Sequence, residues 1–366
     1  MKIICLQENL KDNLIVLERI CSKNQTLPIL GNIILKTQQG SLQLFATDLE
    51  IGVEIHTPCK VEQEGEVVLP IKLLSAFIYH LPNIKISIQK KGNYVLITAD
   101  DFTTKIPTIS IDEFPLIPKI QKDVVVEIQP QPFQQGIIQV LNAVATSHTL
   151  NEISGIFLNI QPNTMKIVGT DSFRLSEKTV FQKNNYTTTT PQKLILPYKT
   201  AYELSKIINQ TENVKIYIEK NQILLQLKNT QIISRLISGE YPNYEQIIPK
   251  TSKTKITILK NELISKLKLA SLFSSKINDI RITTNTHKKE LMVFAADQQK
   301  GEFQSTITTD MTGESCEATF NYKYLLDGLS NILDDVVLFE LNGPTAPGIF
   351  KTKQGEYQYI IMPLKI

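Results

Sequence analysis

A seven-residue pattern that occurs three times limits what this chain can fold into. Residues 42–48, 165–171 and 291–297 each read apolar-x-apolar-x-small-small-Asp. The three copies of the pattern start 123 and 126 residues apart, close to one third of the 366-residue chain. A period this long exceeds a solenoid unit, so each copy is predicted to be a whole domain.

The composition is that of an ordinary globular protein, with 42% hydrophobic and 20% charged residues. The sequence contains no run of about 18 apolar residues, so no membrane span is predicted. The polar residues after Cys5 argue against a signal peptide. The four cysteines lack metal-like spacing and predict reduced thiols in a cytoplasmic protein. The net charge of +3 permits loose contact with phosphates without demanding it.

Each copy begins with an apolar stripe at the spacing of an amphipathic helix. A second phrase in each copy places a short helix directly after a strand that ends at Pro70, Pro197 or Asn321. Alternating apolar residues around a turn then predict a hairpin in each copy. Each third is therefore predicted to be α+β, with two helices and about eight strands. The first stripes are Leu6, Leu10, Leu14, Leu17 and Cys21; Phe133, Ile137, Leu141 and Val144; and Leu259, Leu263, Leu267 and Ala270. The predicted hairpin turns are 90–93, 219–222 and 342–344.

The sequence contains no recognisable catalytic motif. Phosphate loops, dinucleotide glycine fingerprints and metal-binding histidine pairs are absent, and neither a metal nor a cofactor is predicted. The aspartate that ends each pattern is predicted to accept backbone N–H bonds in a turn, because it occurs in all three copies. The alternative is a cytosolic enzyme with a pocket between repeats that uses Asp171 and Arg174.

Features found in a single copy are better indicators of function than shared ones. Only the second copy follows its aspartate with Ser172-Phe173-Arg174-Leu175, and the chain ends in the apolar segment 362–366. Chain termini are usually polar, so an apolar tail is expected to dock or to form an adhesive surface. Together with Pro242 and Ile247, the segments 172–175 and 362–366 would supply two apolar surfaces that could meet at the boundary between copies two and three. Either a domain-packing contact or a binding groove would explain them.

Several separated motifs resemble one family in order along the whole chain. TLPILGN (26–32), ATDLE (46–50), GTDSFRL (169–175), SGEYPNYEQIIPK (238–250) and the terminal IIMPLKI are similar to bacterial DNA polymerase III beta subunits, the replication sliding clamps. The resemblance implies three repeated DNA-clamp domains per chain, predicted at 1–120, 124–248 and 254–366. It also implies a non-catalytic, head-to-tail homodimeric ring around duplex DNA, with paired helices inside and antiparallel sheets outside.

The resemblance implies three sets of functional residues. The family's dimer contact matches Ile106, Leu272 and Phe273, and Thr104 stands where phenylalanine is common, which bears on the strength of the dimer. Phe173 stands where histidine is frequent in the family, which bears on the shape of the family's partner-peptide cleft. The implied DNA-facing residues are Arg19, Lys23, Asn24, Lys72, Lys199, Lys206, Lys266 and Lys323. The implied partner-peptide cleft comprises Ile153, Thr170, Ser172, Phe173, Arg174, Leu175, Pro242, Ile247, Ile360, Met362, Pro363 and Leu364.

The implied partners follow from the same resemblance. They are double-stranded DNA bound without sequence preference, a second copy of the chain, the DNA polymerase III alpha subunit and the clamp-loader complex. Other polymerases and mismatch-repair proteins are expected to bind through short clamp-binding peptides. No membrane partner is expected, and the implied location is the cytoplasm, in association with the nucleoid.

Overall fold

The structure, a computed structural model, describes residues 1–21, 27–38, 40–115, 124–145, 151–181, 191–208 and 213–365. These residues form two compact units. The first unit contains the described residues up to 130 together with those between 206 and 236. The second contains 131–181, 191–205 and 237–365, again within the described ranges. None of the described helices is long and apolar enough to cross a membrane.

The predicted pair of helices is present in each copy. The described residues contain six α-helices: α1 (Gln7–Ile20), α2 (Ile71–His80), α3 (Pro130–Leu141), α4 (Tyr198–Ile207), α5 (Lys260–Ser271) and α6 (Tyr322–Ser330). Helix α1 packs on α2 and α5 packs on α6. In copy two, Gln134 Nε2 of α3 donates to the Ser205 carbonyl of α4 at 2.8 Å.

The strands also recur in similar number in each copy, close to the predicted eight. Copy one contains β1 (Lys2–Leu6), β2 (Asn32–Gln38), β3 (Ser41–Thr47), β4 (Ile51–Pro58), β5 (Lys60–Gln63), β6 (Glu66–Pro70), β7 (Lys85–Lys91), β8 (Tyr94–Ala99) and β9 (Phe102–Pro107). Copy two contains β10 (Val124–Ile128), β11 (Gly155–Gln161), β12 (Thr164–Thr170), β13 (Arg174–Phe181), β14 (Gln192–Pro197), β15 (Val214–Glu219), β16 (Gln222–Gln226) and β17 (Thr230–Arg235). Copy three contains β18 (Thr254–Leu259), β19 (Asp279–Asn285), β20 (Glu290–Asp297), β21 (Gly301–Thr308), β22 (Asp310–Gly313), β23 (Glu317–Asn321), β24 (Val336–Leu341), β25 (Gly348–Lys351) and β26 (Tyr357–Ile361).

The helix stripes are confirmed in their interior and wrong at four ends, because Leu6 and Leu259 precede α1 and α5 and Cys21 and Val144 follow α1 and α3. Leu10, Leu14 and Leu17 of α1 are buried, as the spacing predicts. Leu6 and Leu259 instead end strands β1 and β18 and are exposed. Both residues hold extended backbone angles directly before their helices, so their side chains leave the helical stripe. The three second helices start where predicted, directly after Pro70, Pro197 and Asn321.

The strands form four antiparallel sheets, and two of these sheets continue from one copy to the next. The orders are β5-β1-β7-β8-β9, β10-β15-β16-β17-β4-β3-β2-β6, β14-β11-β12-β13-β26-β25-β24-β18-β22 and β21-β20-β19-β23. Strand β4 of copy one pairs with β17 of copy two, and β13 of copy two pairs with β26 of copy three. The five-stranded and four-stranded sheets each belong to one copy and have β9 and β21 at an edge.

The repeated aspartates have the predicted structural role in all three copies. Asp48 Oδ1 accepts the backbone N–H groups of residues 50 and 51 at 3.0 and 2.8 Å. Asp171 Oδ1 accepts those of 173 and 174, both at 3.0 Å. Asp297 Oδ1 accepts those of 299 and 300 at 3.0 and 3.2 Å. These carboxylates close the turn after a strand because they satisfy donors that the sheet leaves unpaired.

Candidate protein-binding site

The two apolar segments singled out in the sequence meet where β13 pairs with β26. Arg174 and Leu175 lie opposite Ile361 and Ile360 in this antiparallel pairing. Beyond the end of β26, the Met362 N–H donates to the Phe173 carbonyl at 2.9 Å. The Leu364 N–H donates to the Thr319 carbonyl at 2.7 Å, so the apolar tail is docked as predicted. Pro363 lacks a backbone donor and stands where the ladder stops.

A cluster of apolar side chains forms the floor beneath this junction. The buried members are Phe157, Val168, Leu175, Ile195, Tyr244, Ile349 and Ile360. Tyr241 stacks on Phe157 with ring centroids 4.7 Å apart, and the two ring planes are nearly parallel at 10°. The members come from strands of copies two and three and from the segment that precedes copy three. The floor is therefore a fixed part of the packed second unit, and no ligand is needed to form it.

A small hydrogen-bond and ion-pair network beside the floor anchors the segment that precedes copy three. Tyr244 donates its hydroxyl to Glu177 Oε2 at 2.6 Å. Lys166 Nζ lies 3.5 Å from the same Glu177 oxygen and bonds Glu245 at 2.9 Å. Burial, and then the neighbouring Glu177 carboxylate, raise the pKa of Tyr244 above its usual range, so the phenol keeps its proton. The network holds residues 244–247, a short 3-10 helix, against the sheet.

The rim above the floor is apolar and accessible. Phe173 is 61% exposed, Ile247 49% and Met362 37%. Pro242 is exposed as well, and Pro363 and Leu364 are half-buried. Ser172 adopts a positive φ of 75°, which directs the chain so that the next residue, Phe173, projects outward. Exposed apolar side chains around a packed apolar floor are typical of a site that binds protein segments.

Four of the predicted cleft residues are buried and cannot form its accessible surface. Ile153, Leu175 and Ile360 are 5%, 1% and 1% exposed, and Thr170 is 7% exposed. The Thr170 hydroxyl donates to the Arg174 carbonyl at 2.7 Å and accepts the Ser172 N–H at 3.2 Å. Leu175 and Ile360 are part of the floor under the rim, and Thr170 holds the turn that carries Ser172. They belong to the site through packing and hydrogen bonding.

Arg174 is fixed by partners within the second unit. Its Nε donates to Asp171 Oδ2 at 3.0 Å, its Nη1 bonds Asp327, and its guanidinium lies 4.4 Å from the Tyr324 ring centroid. Burial acts to lower the pKa of Arg174, but the Tyr359 oxygen and Asp327 hold it above its ordinary value. A permanently charged guanidinium paired in this way is a structural brace between copies two and three. Asp171 likewise uses its carboxylate to hold Arg174 and its own turn.

Sequence reasoning missed the residues that hold the site together. Tyr241 and Tyr244 lie in the motif 238–250 but were not singled out as site residues, and Tyr324 and Asp327 lie in a segment predicted only as helix. Tyr241 and Tyr244 were the available signal, because two aromatic residues close together in a linker suggest an anchored segment. Asp327 on α6 has no such signal, since its partner Arg174 is 153 residues away.

The residues predicted at the dimer contact differ in accessibility. Ile106 on β9 is 1% exposed, so its side chain already packs within its own domain. Leu272, just after α5, is 64% exposed. Phe273 is half-buried and stacks on Phe303 of β21 with ring centroids 6.0 Å apart.

The predicted DNA-facing residues lie on helices or outside the described residues. Lys72, Lys206 and Lys323 are exposed on α2, α4 and α6. Arg19, Lys199 and Lys266 are half-buried on α1, α4 and α5. Lys23 and Asn24 lie outside the described residues.

Comparison with protein-family models accounts for nearly the whole chain. Residues 1–118 match the N-terminal domain of the DNA polymerase III beta subunit, 127–243 match its central domain and 245–365 match its C-terminal domain. The three models match in the order of the three repeats, without overlap.

Whole-chain relatives agree with the domain matches. A beta sliding clamp from Synechococcus elongatus is 26% identical over the full length of both chains. One from Staphylococcus aureus is 28% identical over 94% of each chain. The fold matches the crystal structure of a DNA polymerase sliding clamp from Bacillus subtilis, with a TM-score of 0.94 at 24% identity over 100% of this chain and 99% of that one. It also matches a DNA polymerase III beta subunit from Pseudomonas aeruginosa, with a TM-score of 0.94 at 22% identity over both full chains.

Proposed function

The chain belongs to the DNA polymerase III beta subunit family, and we propose that it acts as a DNA sliding clamp, a homodimeric ring that encloses duplex DNA and tethers the replicative polymerase. Members of this family are non-catalytic processivity factors, so binding and topology carry the function. The alternative of an enzyme built on Asp171 and Arg174 has no support among the matches, and both side chains are used structurally.

The order of strands in the four sheets carries the proposal of a ring. Two sheets continue between copies through the pairs β4–β17 and β13–β26. The repeat makes β21 the equivalent of β4 and β13, and β9 the equivalent of β17 and β26. Both β21 and β9 lie at sheet edges, and each is paired with a described strand on one side only. Edge strands present unpaired backbone groups, so β21 of one chain and β9 of a second would complete the series twice under two-fold symmetry.

The repeat also predicts the register of that contact. Ile51 and Arg174, each three residues after the repeated aspartate, lie opposite Ser234 and Ile361. The equivalent of Ile51 in copy three is Lys300. The equivalent of Ser234 in copy one is Pro107, since each lies eight residues before the proline of Glu-Tyr-Pro or Glu-Phe-Pro. Antiparallel pairing from that point places Phe303 opposite Thr104, and the exposed Glu302 opposite the exposed Lys105.

Cross-linking tests this register. A Thr104→Cys, Phe303→Cys chain is expected to form disulfide-linked dimers on mild oxidation, because directly opposed strand residues have the Cα separation that a disulfide requires. The matched control is Thr104→Cys with Thr306→Cys, which is out of register by about 10 Å. Equal cross-linking of both pairs, or none beyond that of the unmodified chain, would contradict the proposed interface.

DNA contact is proposed for the helices. The candidates on the described helices are Arg19, Lys72, Lys199, Lys206, Lys266 and Lys323. A few basic side chains give contacts without sequence preference whose strength falls with salt. Weak contacts suit a ring that slides, because enclosure retains the DNA.

The cleft at the β13–β26 junction is proposed to bind short segments of partner proteins. Its accessible rim of Phe173, Pro242, Ile247 and Met362 supplies the apolar anchoring surface, and methionine adapts to partners of different shape. The proposed partners are the DNA polymerase III alpha subunit, the clamp loader, other polymerases and mismatch-repair proteins. We also propose the domain boundaries 1–120, 124–248 and 254–366, and a location on the nucleoid in the cytoplasm.

A further inference from the structure

A second concave site lies in the first unit, where β4 pairs with β17. It is a cavity of about 90 Å³ whose lining combines apolar side chains with Thr47, Gln222 and two charged residues. Ile51 and Ile233 are buried in its wall, and Leu49 is 42% exposed beside it. Pro115 completes the apolar part, and Glu50 and Arg235 supply the charges. This cavity shares no residue with the cleft at the β13–β26 junction.

The backbone around this cavity repeats that of the cleft. The Thr47 hydroxyl donates to the Ile51 carbonyl at 2.9 Å, as Thr170 does to Arg174. Leu49 has a φ of 77°, close to the 75° of Ser172. The Arg235 N–H donates to the Glu50 carbonyl at 3.0 Å, in the place of the bond from Met362 to Phe173. The chain thus builds the geometry of its peptide cleft twice, once in each unit.

The side chains at the rim differ between the two sites. The positions of Phe173 and Met362 in the cleft correspond to Glu50 and Arg235 in the second cavity. Both charged residues are exposed. Neither side chain forms a hydrogen bond or ion pair with another residue in the part of the chain that the structure describes. An apolar rim is therefore replaced by one that carries a carboxylate and an unengaged guanidinium.

The floor is also shallower than in the cleft. Leu175 corresponds to Gly52, and Val168 corresponds to Phe45. A Cβ at Gly52 would lie 3.2 Å from the Phe45 ring, so that ring occupies the space under the glycine. Phe45 is fixed there by an edge contact with Phe114, with ring centroids 6.1 Å apart. The remaining space suits a small apolar side chain such as valine.

We propose that this cavity is a second peptide-binding groove, which takes an extended segment with a small apolar anchor next to a carboxylate. Arg235 supplies a planar fork of donors that matches a carboxylate in two hydrogen bonds. Glu50, whose carbonyl accepts the Arg235 N–H, places its own carboxylate on the same rim and repels further negative charge, so a single carboxylate is favoured over an acidic run. This assignment rests on the proposed function, because it takes peptide binding at the β13–β26 cleft as the model for the similar groove in the first unit. The carboxylate comes from an Asp or Glu side chain or from a chain terminus.

Photo-cross-linking of short peptides to the full-length dimer tests the proposal and separates these sources. One peptide carries Val followed by Asp and an amidated end, a second ends in Val with a free carboxylate, and a third carries Val followed by Asn and an amidated end. Each has a benzophenone group next to the valine. We expect the first or second peptide to label residues 45–52 or 222–235, and the third to label them about tenfold less, since a charge-assisted contact is lost.

Variants of the protein assign the labelling to the groove. Arg235→Gln should reduce it about tenfold, because an exposed guanidinium can be removed without disturbing the fold. Lys215→Gln removes the same charge from an exposed position on β15 and should leave labelling unchanged. The proposal would be overturned if no labelling occurs or if it is confined to the surface around Phe173 and Met362. It would also be overturned if Arg235→Gln leaves the labelling unchanged.

Deletion of residues 362–366 distinguishes failure here from failure of the main cleft. The deletion should leave labelling of the second groove intact while it weakens binding of a polymerase tail peptide. If the tail deletion has no effect on the polymerase peptide but Arg235→Gln abolishes labelling, the second groove is supported and the assignment of the main cleft fails. Loss of labelling in the tail deletion would overturn the second groove.

Discussion

Single side chains in this protein do more to position the backbone than to perform chemistry. Asp48, Asp171 and Asp297 close equivalent turns, and Asp171 also holds the Arg174 side chain. The turn role could be predicted because it is local and recurs with the repeat. The brace from Arg174 to Asp327 could not be predicted, because it depends on how copies two and three pack. Burial of Leu175 and Ile360 depends on the same packing, because both lie in the apolar floor formed by copies two and three.

The double role of Asp171 predicts unequal effects of one substitution at equivalent positions. Asp171→Asn should lower stability by about 1–2 kcal/mol, because it weakens two backbone contacts and removes the charge that faces Arg174. Asp297→Asn is the matched control, which affects only the turn contacts, and should cost less. Calorimetric melting of both variants measures the difference. A loss in Asp297→Asn as large as in Asp171→Asn would show that the ion pair with Arg174 contributes nothing.

At the scale of elements, the sequence predicts helices and strands well and sheet partners poorly. Periodicity located the six described helices, and proline or asparagine marked the start of each second helix. Periodicity says nothing about which strand lies beside which, so the continuation of sheets through β4–β17 and β13–β26 became visible only in the fold. The apolar tail correctly indicated a site between copies two and three, because its residues follow β26 where that strand pairs with β13.

The tail gives a prediction for binding. Deleting residues 362–366 should weaken a labelled polymerase tail peptide by about 2 kcal/mol or more, the scale of a lost hot spot. The segment contributes the exposed Met362 and the half-buried Pro363 and Leu364 to the site, and the dimer contact is proposed elsewhere. Fluorescence anisotropy measures the affinity. Removal of 365–366 alone is the control and should have little effect. Unchanged affinity in a folded dimer that lacks 362–366 would place the cleft elsewhere.

For the whole molecule, the proposed ring takes three similar domains from each of two chains. Leu272→Ala with Phe273→Lys should convert the dimer to a monomer with unchanged secondary structure. The lysine replaces an aromatic side chain that stacks on Phe303 of the proposed edge strand. Leu269→Ala, at an exposed position near the end of α5, is the matched control. Light scattering that shows a full dimer for the double variant would contradict the placement of the interface.

In the proposed function, enclosure rather than contact strength holds the protein on DNA. The direct measurement is retention on nicked circular DNA at high salt, after loading with a clamp loader and ATP, before and after the circle is cut. Salt screens the contacts of the basic side chains but does not affect a topological link. We predict that the protein stays on the closed circle and is released when the DNA is linearised. Retention on linear DNA with free ends would contradict the sliding ring and indicate ordinary binding to phosphates.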